Sequence, residues 1–230
     1  MKTIGLAGGM TPESTKVYYD ALIQAARQPD GDPLENPVII IYSLNLTELV
    51  EIQSTGDRAK VAEYLAEILE RLRLAGAEVG ALTANTPHAY LEEIQTMTSL
   101  PLVSIVSATR DAAANRGLEK ALLLGTRTTI EAEMYPLECS DAGIRIVLPG
   151  EDDREFLDQT IYNELAIGHV PPEVRQRYHE ICTKHIKNDD IDSVILGCTE
   201  LPLVISSDDL PVEVPDTTKT HVAAILAAAS

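Results

Sequence analysis

Tryptophan is absent from this 230-residue chain, phenylalanine occurs once, and there are only 3 cysteines. With aromatics so scarce, the core has to be built from Leu, Ile, Val and Ala. The cysteines, Cys139, Cys182 and Cys198, are odd in number and lack C-x-x-C spacing, which argues against a disulfide framework and against a zinc site. Basic residues are scarce as well: 18 Lys and Arg face 36 Asp and Glu, leaving a net charge of −18. Such a field repels phosphate backbones and disfavours a nucleic-acid partner. It also opposes anionic small molecules, so a carboxylate ligand needs concentrated local donors, such as the N–H groups at helix starts. No apolar stretch approaches the roughly 20 residues of a membrane span, and the apolar run in the opening "MKTIGLAGGMTPEST" is too short for a signal sequence. The expectation is a cytoplasmic chain without a membrane partner. Low-complexity sequence is missing too, and a hydrophobic content of 45% suffices for one large core or two modest ones.

What is present is alternation: short apolar runs separated by longer segments of helical period, the pattern of an α/β fold with parallel sheets. Strands are predicted at 3–7, 38–42, 79–83, 102–105, 121–125, 144–148, 192–196 and 212–214. Helices are predicted at 13–27, 58–75, 88–98, 107–116, 129–140, 151–165, 171–187 and 217–228. The clearest is 58–75, where Val61, Leu65, Ile68, Leu69 and Leu72 form one apolar face and Gly76 closes the end. Residues 27–37, "RQPDGDPLENP", are predicted to be an irregular loop.

The chain also repeats itself. "KTIGLAGGMTPEST" at 2–15 is echoed by "KALLLGTRTTIEAE" at 120–133, and "GALTANTPHAYL" at 80–91 by "VILGCTELPLVI" at 194–205. Lys2 and Lys120 lie 118 positions apart, and Thr83 and Cys198 lie 115 apart, offsets that suggest a duplicated α/β unit. Reuse of the strand-turn-helix element common to all α/β chains is the plainer alternative. In parallel sheets ligands sit beyond the carboxyl ends of the strands, and all four repeated turns are placed there.

Two of those turns carry candidate chemistry. Cys198 follows an apolar strand and precedes "TELP", a setting in which a helical turn favours a thiolate; a small buried hydrophobe is the competing reading, and the one adopted for Cys139 and Cys182. The "GGM" turn with Thr11 is placed to bring main-chain N–H groups to an anion, although it matches neither a dinucleotide fingerprint nor a Walker loop. Asn85, Thr86 and Thr199 offer side-chain donors suited to a carboxylate, and are equally ordinary turn residues and caps. His179 and His185 are six apart where a zincin helix needs four, and no metal site is expected. His88 either supports Asn85 or simply begins a helix.

Taken together, "MKTIGLAGGMTPESTKVYY", "ANTPH", "LLLGTRTTIEAEMY" and "VILGCTEL" resemble the aspartate/glutamate racemase family, in order and over nearly the whole chain. The resemblance implies two Rossmann-like lobes with parallel four-stranded sheets related by pseudo-two-fold symmetry, an active site between them, a homodimer, and no pyridoxal or other cofactor. It implies a first lobe of residues 1–98 with 206–230 and a second of 99–205. Members of the family usually carry two cysteines, one on each face of the substrate α-carbon. Here the second matches Cys198, while the first position is Thr83, a pairing associated with preference for L-aspartate or L-glutamate. A Thr hydroxyl is far too weakly acidic to act as the mirror-image base. By the same resemblance Asn85, Thr86 and Thr199 hold the α-carboxylate, and Met10, Gln53 and Thr126 line the pocket of an amino-acid or dicarboxylate substrate. Where some members have a Lys for the side-chain carboxylate this chain has Ala166, with Arg127 or Lys219 as conceivable substitutes. Two alternatives stand beside the racemase: a single-cysteine decarboxylase of malonate-type substrates, and an amino-acid-binding protein whose catalysis lapsed with the first cysteine.

Overall fold

The computed structural model describes residues 1–27 and 36–230, so most of the predicted 27–37 loop lies outside the described residues. The chain forms two compact units, Met1–Ser104 with His221–Ser230, and Ile105–Thr220. The boundaries thus fall at 104/105 and 220/221 rather than at 98/99 and 205/206. Residues 206–220 stay with the second unit, where Glu213 and Asp216 bridge to Ser193 and Leu196.

In chain order the first unit runs β1 (Ile4–Gly8), α1 (Pro12–Ala26), β2 (Ile39–Ser43), α2 (Leu46–Ser54), α3 (Arg58–Leu74), β3 (Val79–Leu82), a 3-10 turn (Thr86–Tyr90) and α4 (Leu91–Met97). The second runs α5 (Ile105–Asn115), β4 (Lys120–Leu124), α6 (Arg127–Glu131), α7 (Met134–Asp141), β5 (Arg145–Val147), α8 (Glu151–Asn163), a 3-10 turn (Leu165–Ile167), α9 (Pro172–Asp189), β6 (Ser193–Leu196) and a 3-10 turn (Leu201–Leu203). The last helix, α10 (Thr217–Ala229), begins in the second unit and ends in the first. Both sheets are parallel and share one topology, β2-β1-β3 and β5-β4-β6.

Among the described residues each sheet has three strands where four were expected. The predicted fourth segments make only isolated parallel bridges, Gly80 to Leu102, Ser193 to Glu213 and Leu196 to Asp216. Proline is the reason: Pro101 and Pro215 accept from Gly80 and Leu196 but have no N–H with which to extend a ladder. The single helix predicted at 129–140 is two, α6 and α7, broken at Glu133 with φ 55°. Pro136 lies in the first turn of α7, where its missing N–H does no harm, whereas in a continuous helix its ring would clash with the carbonyl of Ala132.

Burial follows strand alternation. In the first unit, Ile4 and Leu6 of β1 pack with Tyr18, Leu22, Val222 and Ile225, while Ala7 packs with Leu65, Leu69 and Leu72 of α3. The apolar face read for 58–75 is thus the face that α3 buries, and each such Leu or Ile contributes about 1.5–3 kcal/mol relative to exposure. In the second unit Leu122 and Leu124 face Leu157, Ile161 and Tyr178, and Ala121 and Leu123 face Ile105, Tyr135 and Cys139. Among the buried polar groups of this unit, Asp153 in α8, only 3% exposed, accepts from Arg177 Nη2 at 2.6 Å and Lys184 Nζ at 2.9 Å of α9. Asp153→Asn is expected to lower unfolding free energy by about 1–3 kcal/mol in urea titrations, toward the lower end because both cations are half-exposed and can return to water.

Candidate active site

In the second unit β6 delivers its next residues to the carboxyl edge of the sheet. Gly197 donates to Leu124 O at 2.7 Å, and a Cβ there would approach the same oxygen to 2.7 Å, so only glycine lets the chain turn so close to β4. Cys198 follows. Its Sγ donates to Glu200 Oε2 at 2.9 Å, and Thr199 Oγ1 donates to the same oxygen at 2.7 Å. Glu200 is 8% exposed and therefore accepts two protons' worth of hydrogen bonding in a poorly solvated setting.

This reverses the expected state of the cysteine. The thiol is pushed well above its ordinary value, first by desolvation, then by the charge of Glu200 and by the hydrogen bond to it. The N–H groups of Thr199 and Glu200 act in the opposite direction and are outweighed. The helical-turn effect predicted from sequence is therefore present but loses to burial and to an adjacent carboxylate. Thr199, expected to offer its hydroxyl to a substrate carboxylate, has it committed to Glu200. Cys139 and Cys182 are fully buried and packed in the two cores, with thiols raised by burial to about 11 and about 12. They are the inert hydrophobes that the sequence suggested.

Thr126, also in this unit, is buried as the N-cap of α6, accepting from Thr129 N at 3.3 Å and donating to Thr129 Oγ1 at 3.1 Å. Ala166 lies in the 3-10 turn at Leu165–Ile167. Of the two suggested substitutes for a lysine there, Arg127 is already paired with Glu131 and Glu151 at 2.9 and 2.7 Å, whereas Lys219 is 84% exposed with Asp216 3.8 Å away.

In the first unit Thr83 leaves β3 at its carboxyl end with 0% exposure. Its N–H donates to Ala7 O at 3.1 Å and its carbonyl accepts from Ser14 Oγ, which fixes the backbone. The hydroxyl is held loosely, 3.4 Å from Ala7 O and 3.5 Å from Thr15 Oγ1, both near the limit for a hydrogen bond. Asn85 is buried and Thr86 half-buried at the start of the 3-10 turn, where Asn85 O accepts from His88 N at 2.9 Å. Met10 packs half-buried against the α3 core, and Gln53 is half-buried near the end of α2. The "GGM" turn does not present its first available N–H to a ligand: Gly9 N donates to Thr15 Oγ1 at 2.8 Å. Gly9 has φ 87° with Leu44 O 2.5 Å from where a Cβ would sit, so the glycine serves a left-handed turn against the loop after β2.

Sequence reasoning missed Glu200, although its place two residues beyond Cys198 in "GCTE" is a visible signal for a charged neighbour. It also missed how the "ANTPH" turn is held. His88 Nδ1 bonds Ala84 O at 2.8 Å, and its ring meets that of His221 edge-on with centroids 5.5 Å apart. His221 Nε2 bonds Val103 O at 2.9 Å and its Nδ1 bonds Tyr18 OH at 2.8 Å. Both histidines are buried and held neutral, His88 at about 4 and His221 at about 3, chiefly by desolvation.

No helix among the described residues is long and apolar enough to cross a membrane. The sequence pattern of the Asp/Glu/Hydantoin racemase family matches residues 8–225. A broad-specificity amino-acid racemase, RacX, from Bacillus subtilis is 26% identical over 220 residues, covering 92% of this chain and 90% of its own length. Among solved structures, an aspartate racemase homologue from Pyrococcus horikoshii is 36% identical, with a TM-score of 0.86 over 100% of this chain and 99% of its own. A Yersinia pestis protein provisionally assigned as an Asp/Glu racemase is 35% identical, with a TM-score of 0.91 over 100% of this chain and 99% of its own.

Proposed function

Because this chain belongs to the Asp/Glu/Hydantoin racemase family, we propose that it is a cofactor-independent racemase of aspartate or glutamate in which Cys198 removes the α-proton of the L-enantiomer. Family membership makes it an isomerase of the racemase type; the substrate and the division of labour are our reading. The observation that carries it is the short Sγ to Oε2 contact of 2.9 Å between Cys198 and Glu200. A thiol is useless as a base until it has lost its proton, and here the acceptor is already in place. Glu200 takes that proton, and the thiolate so formed takes the one on the α-carbon. Burial and the Glu200 charge hold the free enzyme in the thiol form, so the thiolate needs added positive charge, which the α-ammonium group of the substrate supplies.

The return step falls to Thr83. Its loosely bonded hydroxyl can pass its proton to the carbanion while taking one from water in the same step, because it cannot persist as an alkoxide at neutral pH. Turnover from L to D is then slow compared with abstraction from the L-enantiomer, and abstraction from the D-enantiomer is slow to match it, because the two enantiomers are equal in free energy. The developing carbanion needs preorganised donors, and Asn85, Thr86 and Thr199 fill that part by resemblance, with Thr199 first turning away from Glu200. Met10, Gln53 and Thr126 complete the proposed pocket.

Ala166 favours a second reading of specificity. Without a cation at that place the side-chain carboxylate of a substrate has no dedicated partner, and a wider range of amino acids than aspartate and glutamate fits, as in the broad-specificity relative. Initial rates across a panel of L-amino acids distinguish the two: a preference of tenfold or more for the acidic pair supports the narrow reading, and a flat profile the broad one.

Glu200 gives a test that separates its two effects. Glu200→Gln removes the charge that raises Cys198, so alkylation of Cys198 by iodoacetamide at pH 8, read from its peptide by mass spectrometry, is expected to accelerate about tenfold for each pKa unit recovered. Racemase activity is expected to fall, because the proton acceptor is gone. Activity and alkylation rising together would show that Glu200 only suppresses the thiol.

A further inference from the structure

We propose that the Thr218 hydroxyl is a substrate contact of the Cys198 site, accepting a hydrogen bond from the α-ammonium group of the bound amino acid. This rests on the racemase reading. In the second unit the segment before α10 runs parallel to β6, with Ser193 paired to Glu213 and Leu196 paired to Asp216. Val194 N donates to Glu213 O at 2.9 Å and Leu196 N to Pro215 O at 3.1 Å, so the register is fixed. Two residues beyond the last bridge, one side carries Cys198 and the other Thr218. Both leave the sheet at its carboxyl edge, where parallel sheets take their ligands.

The groups around Thr218 are spoken for, and its hydroxyl is not. Thr217 Oγ1 donates to Leu196 O at 2.7 Å, pinning the start of α10 to β6. Thr218 N and Lys219 N both donate to Asp216 Oδ1, at 2.9 and 3.2 Å, so the first N–H groups of the helix are closed off. Thr218 is 3% exposed, yet its Oγ1 has no hydrogen-bond partner among the described residues. A buried hydroxyl without a partner is destabilising in the free protein, and is satisfied when a polar group is brought to it.

Charge decides which group that is. Among the described residues the ionisable side chains flanking this edge include Glu200, two residues past Cys198, and Asp216, two before Thr218, both acidic, with Asp158 acting on the same Tyr162 as Cys198 and Glu200; of the cations, Arg127 is spent on Glu131 and Glu151 and Lys219 is turned out to solvent. A carboxylate is repelled here and an ammonium drawn in. Seated at Thr218, the ammonium also lies where its charge favours the Cys198 thiolate, so the contact serves binding and deprotonation together.

The test compares ligands that differ only in the amino group. Wild type, Thr218→Val and Thr218→Ser are titrated calorimetrically with L-aspartate and with succinate, and with L-glutamate and glutarate in parallel. Thr218→Val is expected to bind the amino acid about tenfold more weakly, the loss of one hydrogen bond to a charged group, while binding the dicarboxylate unchanged. Thr218→Ser is expected to match wild type for both, and the melting temperature of free Thr218→Val to stay level or rise. Equal weakening toward both ligand classes, or wild-type affinity for the amino acid in Thr218→Val, overturns the proposal. Amino-acid binding that depends on Thr218 without any α-proton exchange in the wild type would overturn the racemase reading and leave the contact standing. Failure of the wild type to bind either amino acid overturns both.

Discussion

Between pH 7 and pH 5 the first unit is expected to lose about 4 kcal/mol of stability through two histidines alone. In the unfolded chain His88 and His221 take up protons below about 6.5. In the folded protein they stay neutral down to about 4 and about 3, since burial penalises the imidazolium and, for His221, a charge on His88 adds to the penalty. Throughout that window the unfolded state binds more protons, so stability falls as the pH falls. Each group costs about 1.4 kcal/mol per pH unit. The direction is diagnostic because the net charge of −18 acts oppositely: approaching the pI of about 4.5 relieves acidic repulsion. Urea unfolding at both pH values, for wild type and His221→Gln, isolates the histidine part. The variant is expected to lose about half of the pH dependence of the wild type, and identical slopes would show that His221 is protonated in the native state.

The second large effect is catalytic. Cys198→Ser is expected to lower kcat/KM for racemisation by about 10²–10⁴-fold, the usual worth of a positioned general base, with little change in melting temperature because one atom is exchanged in a partly exposed residue. Cys139→Ser and Cys182→Ser set the contrast. Both thiols are fully buried in aliphatic packing, so these variants are expected to lose stability and to keep kcat/KM within a few-fold of wild type once folded. Comparable activity losses in all three would mean that the Cys198 effect is structural.

Much of the fold was readable from period and punctuation. The apolar stripe of α3 and its Gly76 stop predicted the helix to within a residue, and the runs at β1, β3, β4 and β6 were long and apolar enough to be nothing but buried strands. α2 was missed, although Asn45 before Leu46, Leu49 and Ile52 is a capping signal; its Oδ1 accepts from Thr47 N at 3.1 Å. The extra strands were overcalled because apolar segments were counted without asking which neighbours lacked an N–H. The site was legible in its residue types but not in their bonding. "GCTE" says that a thiol, a hydroxyl and a carboxylate are adjacent, whereas only geometry shows both donors spent on one oxygen and the sign of the cysteine's shift reversed. Thr218 was invisible for a related reason: an unsatisfied hydroxyl is a property of what surrounds a residue, not of the residue.

The central claim is that one strong base, Cys198, and one weak proton donor, Thr83, share the reaction. It is tested most directly by incubating the protein in heavy water with L-aspartate or L-glutamate and following two quantities in the same sample by NMR and chiral chromatography: deuterium at the α-carbon of remaining L-substrate, and accumulation of D-product. Deuterium entering the L-pool faster than D-product forms, with both lost in Cys198→Ser, is the expected result. Equal rates of wash-in and inversion from either enantiomer, or exchange that survives in Cys198→Ser, would contradict it.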